Sequence, residues 1–288
     1  MANEIKTTDL NPAISIDVAS NFTKNIKELQ KLLGICELRS CVNGSTIKTY
    51  KTTVGELTKQ GGEGEVIGLT KVTRAVADTI EIVLEAYRAQ VTAQAIQKVG
   101  ADIAINEKDS EIVRKIQSKI KGDFIAGLKK GTGESKKGTT LQATLATAWG
   151  NVNKYFVDYD ATPIYFVSTE DVADYLGTAQ VSTQTLFGMT YIENFLGLGD
   201  VVITPSLNKG EVIATAKENL RGAFVPATSG DVATAFSLMG DETGLIGITH
   251  NTNTDNATID TLFLSGIVFY AEMKDGVFVV KNSEEVGV

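Results

Sequence analysis

The 288-residue sequence holds one histidine, His250, two cysteines, Cys36 and Cys41, one tryptophan and four prolines. A single histidine excludes multi-histidine metal centres. Any Ser-His-Asp or Cys-His nucleophile would have to recruit His250 from a Thr/Asn-rich stretch that reads as a solvated loop. The cysteines lie in one segment, with no second pair and no nearby histidine to complete a zinc site, so they read as reduced thiols. Four prolines exclude a collagen-like or proline-rich chain. Long hydrophobic runs are missing too. The longest, Leu262 to Ala271, is far short of the ~18 residues of a membrane span. The polar start MANEIKTTDLN is not a signal peptide, so the expectation is a chain that stays in the cytoplasm.

What is present is an ordinary globular composition, 43% hydrophobic and 22% charged, with a net charge of -8. The charge is unevenly spread. Residues 1–104 balance twelve bases against twelve acids, residues 105–139 hold nine against five, and residues 140–288 hold six against eighteen. Overall acidity argues against tight sequence-specific DNA binding, which needs a clustered basic face.

Residues 1–45 read as an arm. Phe22, Ile26, Leu29 and Leu32/Leu33 form one helical stripe that Gly34 ends, and a stripe so short is expected to pack on another body or subunit. Residues 46–78 read as a long hairpin. Its first strand is Thr46 to Val54. Its tip, Gly55 to Gly64, is Gly-rich and charged, with Leu57 as its sizeable apolar residue. Its return strand is expected from Glu65 through Arg74. Such a tip cannot bury a core of its own. Strand character continues over Thr79 to Val91, followed by a helix over Ala93 to Val99. The strongest helix spans 109–130, with Ile112, Ile116, Ile120, Phe124 and Leu128 at four-residue spacing and Asn106 as its cap.

The Gly131–Thr140 stretch reads as a linker. Beyond it come a helix over Leu141 to Phe156, a buried strand Pro163 to Val167 and a helix capped by Ser168. Further strands follow at Tyr191 to Phe195, Val201 to Ile203 and Glu211 to Ala216. The last part reads as β, with Lys274-Asp275-Gly276 as a hairpin turn between Thr261–Ala271 and Val277–Val280. The order of elements is α+β.

Motifs of chemistry fail one by one. Gly133 and Gly138 have P-loop spacing, but the essential lysine is absent. Asn251, Asn253 and Asp255 imitate half a calcium loop that lacks its glycine and final glutamate. Asp158 and Asp160 read as an exposed turn. Lys115, Lys119, Lys129 and Lys130 read as a solvated helix face in preference to a nucleic-acid contact. No catalytic constellation forms, and no cofactor or metal is expected.

Several stretches together resemble the major capsid proteins of tailed bacteriophages with the Hong Kong 97-type fold. TKVTRAVADTIEIVLEAYR (70–88) is similar to the return arm of that family's extended loop. EIVRKIQSKIKGDFIAGLKKGTG (111–133) is similar to its spine helix and glycine-rich exit. LQATLATAWG with PIYFVSTEDVADY (141–175), TLFG (185–188), the strand through Ile203 and residues 210–220 are similar to its axial domain. The resemblance implies an arm (1–45), an extended loop (46–78), a peripheral domain (79–138 with 223–288) and an axial domain (139–222).

It further implies a non-enzymatic shell subunit that self-assembles into pentamers and hexamers of an icosahedral head. The head is assembled in the host cytoplasm around double-stranded DNA bound without sequence specificity, with no membrane. A separate scaffold protein, a portal protein and decoration proteins are the implied partners. Subunit contacts are expected at Phe22, Ile26 and Leu29 of the arm and at Glu56, Leu57, Lys59, Glu63, Glu65 and Arg74 of the loop. The alternative of the same fold is an encapsulin-type nanocompartment shell, which packages a cargo enzyme. A small-molecule enzyme with a pocket in 139–222 is the alternative from another class.

Overall fold

The computed structural model describes residues 7–59, 62–64, 66, 68–177, 183–240 and 242–280, with side chains from Asp17 onward apart from Asp102. Helix α1 spans Thr7–Leu33. The short strand β1 (Leu38–Ser40) follows, then β2 (Ser45–Val54), β3 (Val72–Ile82) and β4 (Glu85–Thr92). Helices α2 (Ala93–Val99) and α3 (Ala101–Leu128) are separated by Gly100 alone, whose φ of 92° turns the chain between them. Next come β5 (Gly133–Glu134), α4 (Leu141–Tyr155), β6 (Pro163–Ser168), α5 (Thr169–Leu176), β7 (Gln184–Leu186), β8 (Met189–Ile192) and β9 (Asp200–Thr204). The chain ends its described part with β10 (Val212–Ala216), β11 (Leu220–Phe224), α6 (Gly230–Phe236), β12 (Ile246–Asn253), β13 (Thr258–Ser265), β14 (Ile267–Ala271) and β15 (Phe278–Val280).

A seven-stranded mixed sheet, ordered β5-β15-β10-β6-β9-β8-β7, is the centre of the molecule. Its middle strands are apolar throughout, because both faces are covered. Ile164, Phe166, Val202 and Ile213 point to one side, where Phe124 of α3 meets Phe166 edge-on at 5.7 Å. Tyr165, Val167, Val201, Val212 and Ala214 point to the other, against Leu145, Ala148 and Val152 of α4 and Val172 of α5. Two caps set these helices: Thr140 Oγ accepts from Ala143 N–H at 3.2 Å, and Ser168 Oγ from Glu170 N–H at 3.3 Å. Two three-stranded sheets, β1-β11-β14 and β12-β13-β4, flank the other side of α3 and α1.

Four sequence expectations need correction. The long helix begins at Ala101 instead of 109, so Asn106 lies inside it and caps nothing. Ile105, fully buried, extends the apolar stripe about two turns backwards, through a buried Asp109 that breaks the apolar periodicity. The Asp275-Gly276 turn makes no hairpin. β14 pairs with β11, while β15 pairs with β10 and β5 in the large sheet. The crossing is held by Asn219, whose amide nitrogen donates to the Met273 carbonyl at 2.9 Å and whose amide oxygen accepts from Met273 N–H at 2.7 Å. A side chain at Gly276 would put its Cβ 2.5 Å from the Phe156 ring. The strand expected over Thr261 to Ala271 is two strands of different sheets, broken at Gly266 where it meets Val83 and Leu84. The strand expected through Phe195 stops at Ile192 and continues as a 3₁₀ turn over Phe195–Gly197.

Candidate assembly surfaces

The hairpin β2–β3 is built in two parts. Near its root, Thr49 and Ile82 are buried, and Ile47 packs against the cluster of Ile82, Ala223 and Val225. A bulge then shifts the register from Thr49↔Asp78 to Tyr50↔Val76. From Tyr50 to Val54 and from Val72 to Ala77 every residue is exposed. Five strand residues beyond the bulge extend the arm by about 17 Å before the loop begins. The bulge therefore marks where the hairpin leaves the body.

Two ion pairs clamp this exit point to the turn before β15. Lys51 Nζ lies 2.5 Å from Asp275 Oδ2, and Lys274 Nζ lies 2.7 Å from Asp78 Oδ2. The bonds from Lys51 and then from Thr132 hold the Asp275 carboxyl below the usual carboxylate range, and Asp275 in turn raises Lys51. Below the root, Lys119 of α3 grips both oxygens of Glu85, at 2.5 and 2.7 Å, and Tyr87 donates to the same carboxylate. Burial pushes the Glu85 carboxyl up, but these bonds outweigh it and its value is lowered. The hairpin is thus a projection mounted on the body by its buried root and these ion pairs.

The tip runs from Gly55 to Lys71, so the return strand starts at Val72 and not at Glu65. Gly55 N–H donates to the Lys71 carbonyl at 2.8 Å, and Thr58 N–H to Thr70 Oγ1 at 3.1 Å, which continues the ribbon past the last strand pair. Glu56, Leu57, Lys59 and Glu63 are all exposed on this tip. Glu65 lies outside the described residues. Arg74 stays on the hairpin, its guanidinium 3.9 Å from the centre of the Tyr50 ring. Sequence reasoning missed the tip's other apolar residues. Val66 and Leu69 are 96% and 98% exposed and Leu57 83%, with Val54, Val72 and Val76 more than half exposed. Val66 and Leu69 fall in the stretch expected as the return strand, outside the 55–64 tip that read as coreless.

Phe22, Ile26 and Leu29 are corrected. They are 0%, 0% and 1% exposed within this one chain, in a cluster with Ile248, Phe263, Val113 and Phe187. The arm's stripe covers its own body, because β12 and α3 present an apolar face that α1 closes. His250 is corrected as well. It stands on β12 with a side chain 2% exposed, and its Nε2 lies 2.8 Å from Asp109 Oδ2. Lys108 lies 3.3 Å from the other oxygen of Asp109 and donates to Thr261. This polar cluster ties α3 to β12 and β13. Its partners are 141 residues apart, and no spacing motif joins them. Among the described residues, no group of three or more histidine, cysteine or acidic side chains could hold a metal ion.

No known sequence family and no curated protein matches the chain. Solved structures do. The capsid of an empty GTA particle aligns at a TM-score of 0.54 and 10% identity, over 88% of each chain. The mature capsid of bacteriophage PhiM1 aligns at 0.50 and 8% identity, over 86% of this chain and 84% of that one. Mycobacterium phage Adephagia supplies another match at 0.50 and 10% identity, over 87% and 88%. The chain has the Hong Kong 97-type capsid fold. The α+β architecture, the projecting hairpin and the long α3 are its parts.

Proposed function

We propose that this protein is the major capsid protein of a tailed bacteriophage, self-assembling into pentamers and hexamers of an icosahedral shell around double-stranded DNA. In this reading α3 is the spine helix of a peripheral domain, the 139–222 region forms the axial domain, and the hairpin is the extended loop. The protein is then a structural subunit of the virion, with scaffold, portal and decoration proteins as its further partners. The observation that carries it, beside the capsid fold, is the hairpin beyond its bulge. It exposes Leu57, Val66 and Leu69 almost completely, and no described segment of the chain covers them. Each side chain gains ~1.5–3 kcal/mol if fully buried, so a neighbouring subunit that covers the tip is strongly favoured. Glu56, Lys59 and Glu63 around them supply register through charge.

Light scattering and negative-stain microscopy of the untagged protein test this. Closed shells or rings of five or six support it, and nucleic acid inside the shells separates a virion from a cargo-filled nanocompartment. Deleting residues 55–64 leaves a folded subunit that cannot close shells. Normal shells from that deletion sink the role of the tip, and a dimer unchanged by concentration and salt overturns the capsid reading.

A further inference from the structure

Lys24, Lys27 and Lys31 of α1 form one row. Steps of three and four residues keep them on one arc of the helix, opposite the buried Phe22, Ile26, Leu29 and Leu33, and all three are exposed. None of them enters an ion pair among the described residues. Several cations of the body are bound by acids. On α3, Lys119 is held by Glu85 and Asp123, and Lys129 by Glu211. Elsewhere Lys217 meets Asp200, Arg221 meets Glu272, and Arg88 meets Asp260. The α3 lysines that the sequence singled out are thus partly neutralised, while the α1 row is not.

Two clefts flank the row and share Lys27 and Lys31. One, of about 420 Å³, is lined further by Ser20, Thr23 and Lys24, and the Thr23 hydroxyl has no hydrogen-bond partner among the described residues. The other, of about 660 Å³, is walled by Ile35, Leu38 and Phe224. Glu28 and Glu37 are the acids of these clefts, so the row keeps a net positive charge in a chain of net charge -8.

We propose that this row contacts the phosphate backbone of double-stranded DNA, and therefore that the outward face of α1 faces the lumen of the shell. The inference rests on the capsid reading above. Seven residues of helix rise about 10.5 Å, close to three base-pair steps of ~3.4 Å, so three ammonium groups can each meet a phosphate. Lysines act there as point charges and read no bases, which gives weak, sequence-independent, salt-sensitive contact. Neither cleft is lined by Arg, Trp or Tyr, the residues that anchor protein partners, so a phosphate backbone suits the row better than an acidic protein does.

The test is fluorescence anisotropy of a labelled 30-base-pair duplex with unassembled full-length subunits, titrated from about 50 to 200 mM salt, the range over which phosphate contacts weaken most visibly. The expected slope of log affinity against log salt falls by about 0.9 for each lysine replaced in a K24Q/K27Q/K31Q variant. A K115Q/K130Q variant on α3 leaves the slope unchanged, and matching circular-dichroism melts show that both remain folded. An unchanged slope in the α1 variant, or no duplex binding by the natural chain at the lowest salt, overturns the proposal. So does binding of an acidic peptide to the row in place of the duplex. Microscopy separates the two readings. Closed shells from a chain that ignores the duplex remove the lumen assignment alone, whereas a stable dimer that concentration and salt leave unchanged removes the capsid reading and the lumen with it.

Discussion

The central sheet and the projecting hairpin are both β-structure, yet they use it in opposite ways. Along β6, β9 and β10 successive side chains alternate between two buried layers, and scarcely a residue reaches water. Along β2 and β3 past the bulge, both faces are open. A two-stranded ribbon is marginal by itself. This one is held by its buried root, by the Lys51–Asp275 and Lys274–Asp78 pairs, and by the bulge that turns it outward. Apolar residues in the sheet therefore stabilise the subunit. Apolar residues on the tip add nothing to the fold of the chain and, in the proposed capsid reading, are free to stabilise contacts between subunits.

Substitutions sharpen that contrast. The largest loss of stability is expected in the core: Phe22→Ala removes a fully buried ring and costs about 3–5 kcal/mol of unfolding free energy, read by urea denaturation. A loss under ~1 kcal/mol would return α1 to the role of a clasping arm. Asp109→Ala comes next, at about 3 kcal/mol, because it leaves Lys108 and His250 buried without their carboxylate. Acidification acts on the hairpin mount. The Asp275 and Glu85 carboxyls are lowered in the fold, so their stabilisation is complete above the ordinary carboxylate range and is lost as pH falls through the folded values. An Asp275→Asn variant should lose less stability between pH 7 and pH 3 than the natural chain, by urea midpoints at each pH. Smallest in the subunit and largest in the assembly is Leu57→Asp. Its effect on subunit stability stays within about 0.5 kcal/mol, while closed shells disappear under the microscope. A destabilised subunit would mean that the tip folds back on its own body.

Much of the architecture was legible locally. The β2 strand, α2 with its terminating Gly100, α4 with its start at Leu141, and β6 with the Ser168 cap all follow from periodicity and capping. The coreless character of the tip was legible too, and with it Glu56, Leu57, Lys59 and Glu63 as surface residues. The errors share one cause. The α1 stripe, the start of α3, the environment of His250 and the 274–276 turn each depend on partners far along the chain. Asp109 interrupts an apolar stripe, so it looked like a helix boundary until His250 supplied its partner. Asp-Gly favours a tight turn whether the strands on either side pair with each other or diverge into two sheets.

The sequence by itself determined where many of the helices and strands lie and where the charge is, because propensity, capping and amphipathic spacing act over a few residues. It also determined that 55–64 has too little apolar surface to fold on itself. Only the tertiary structure decided that α1 closes the subunit's own core, that His250 is buried against Asp109, and that α1 turns an unpaired lysine row outward. Each of those outcomes depends on which surfaces meet across more than a hundred residues of chain, where burial and charge pairing outweigh any local preference.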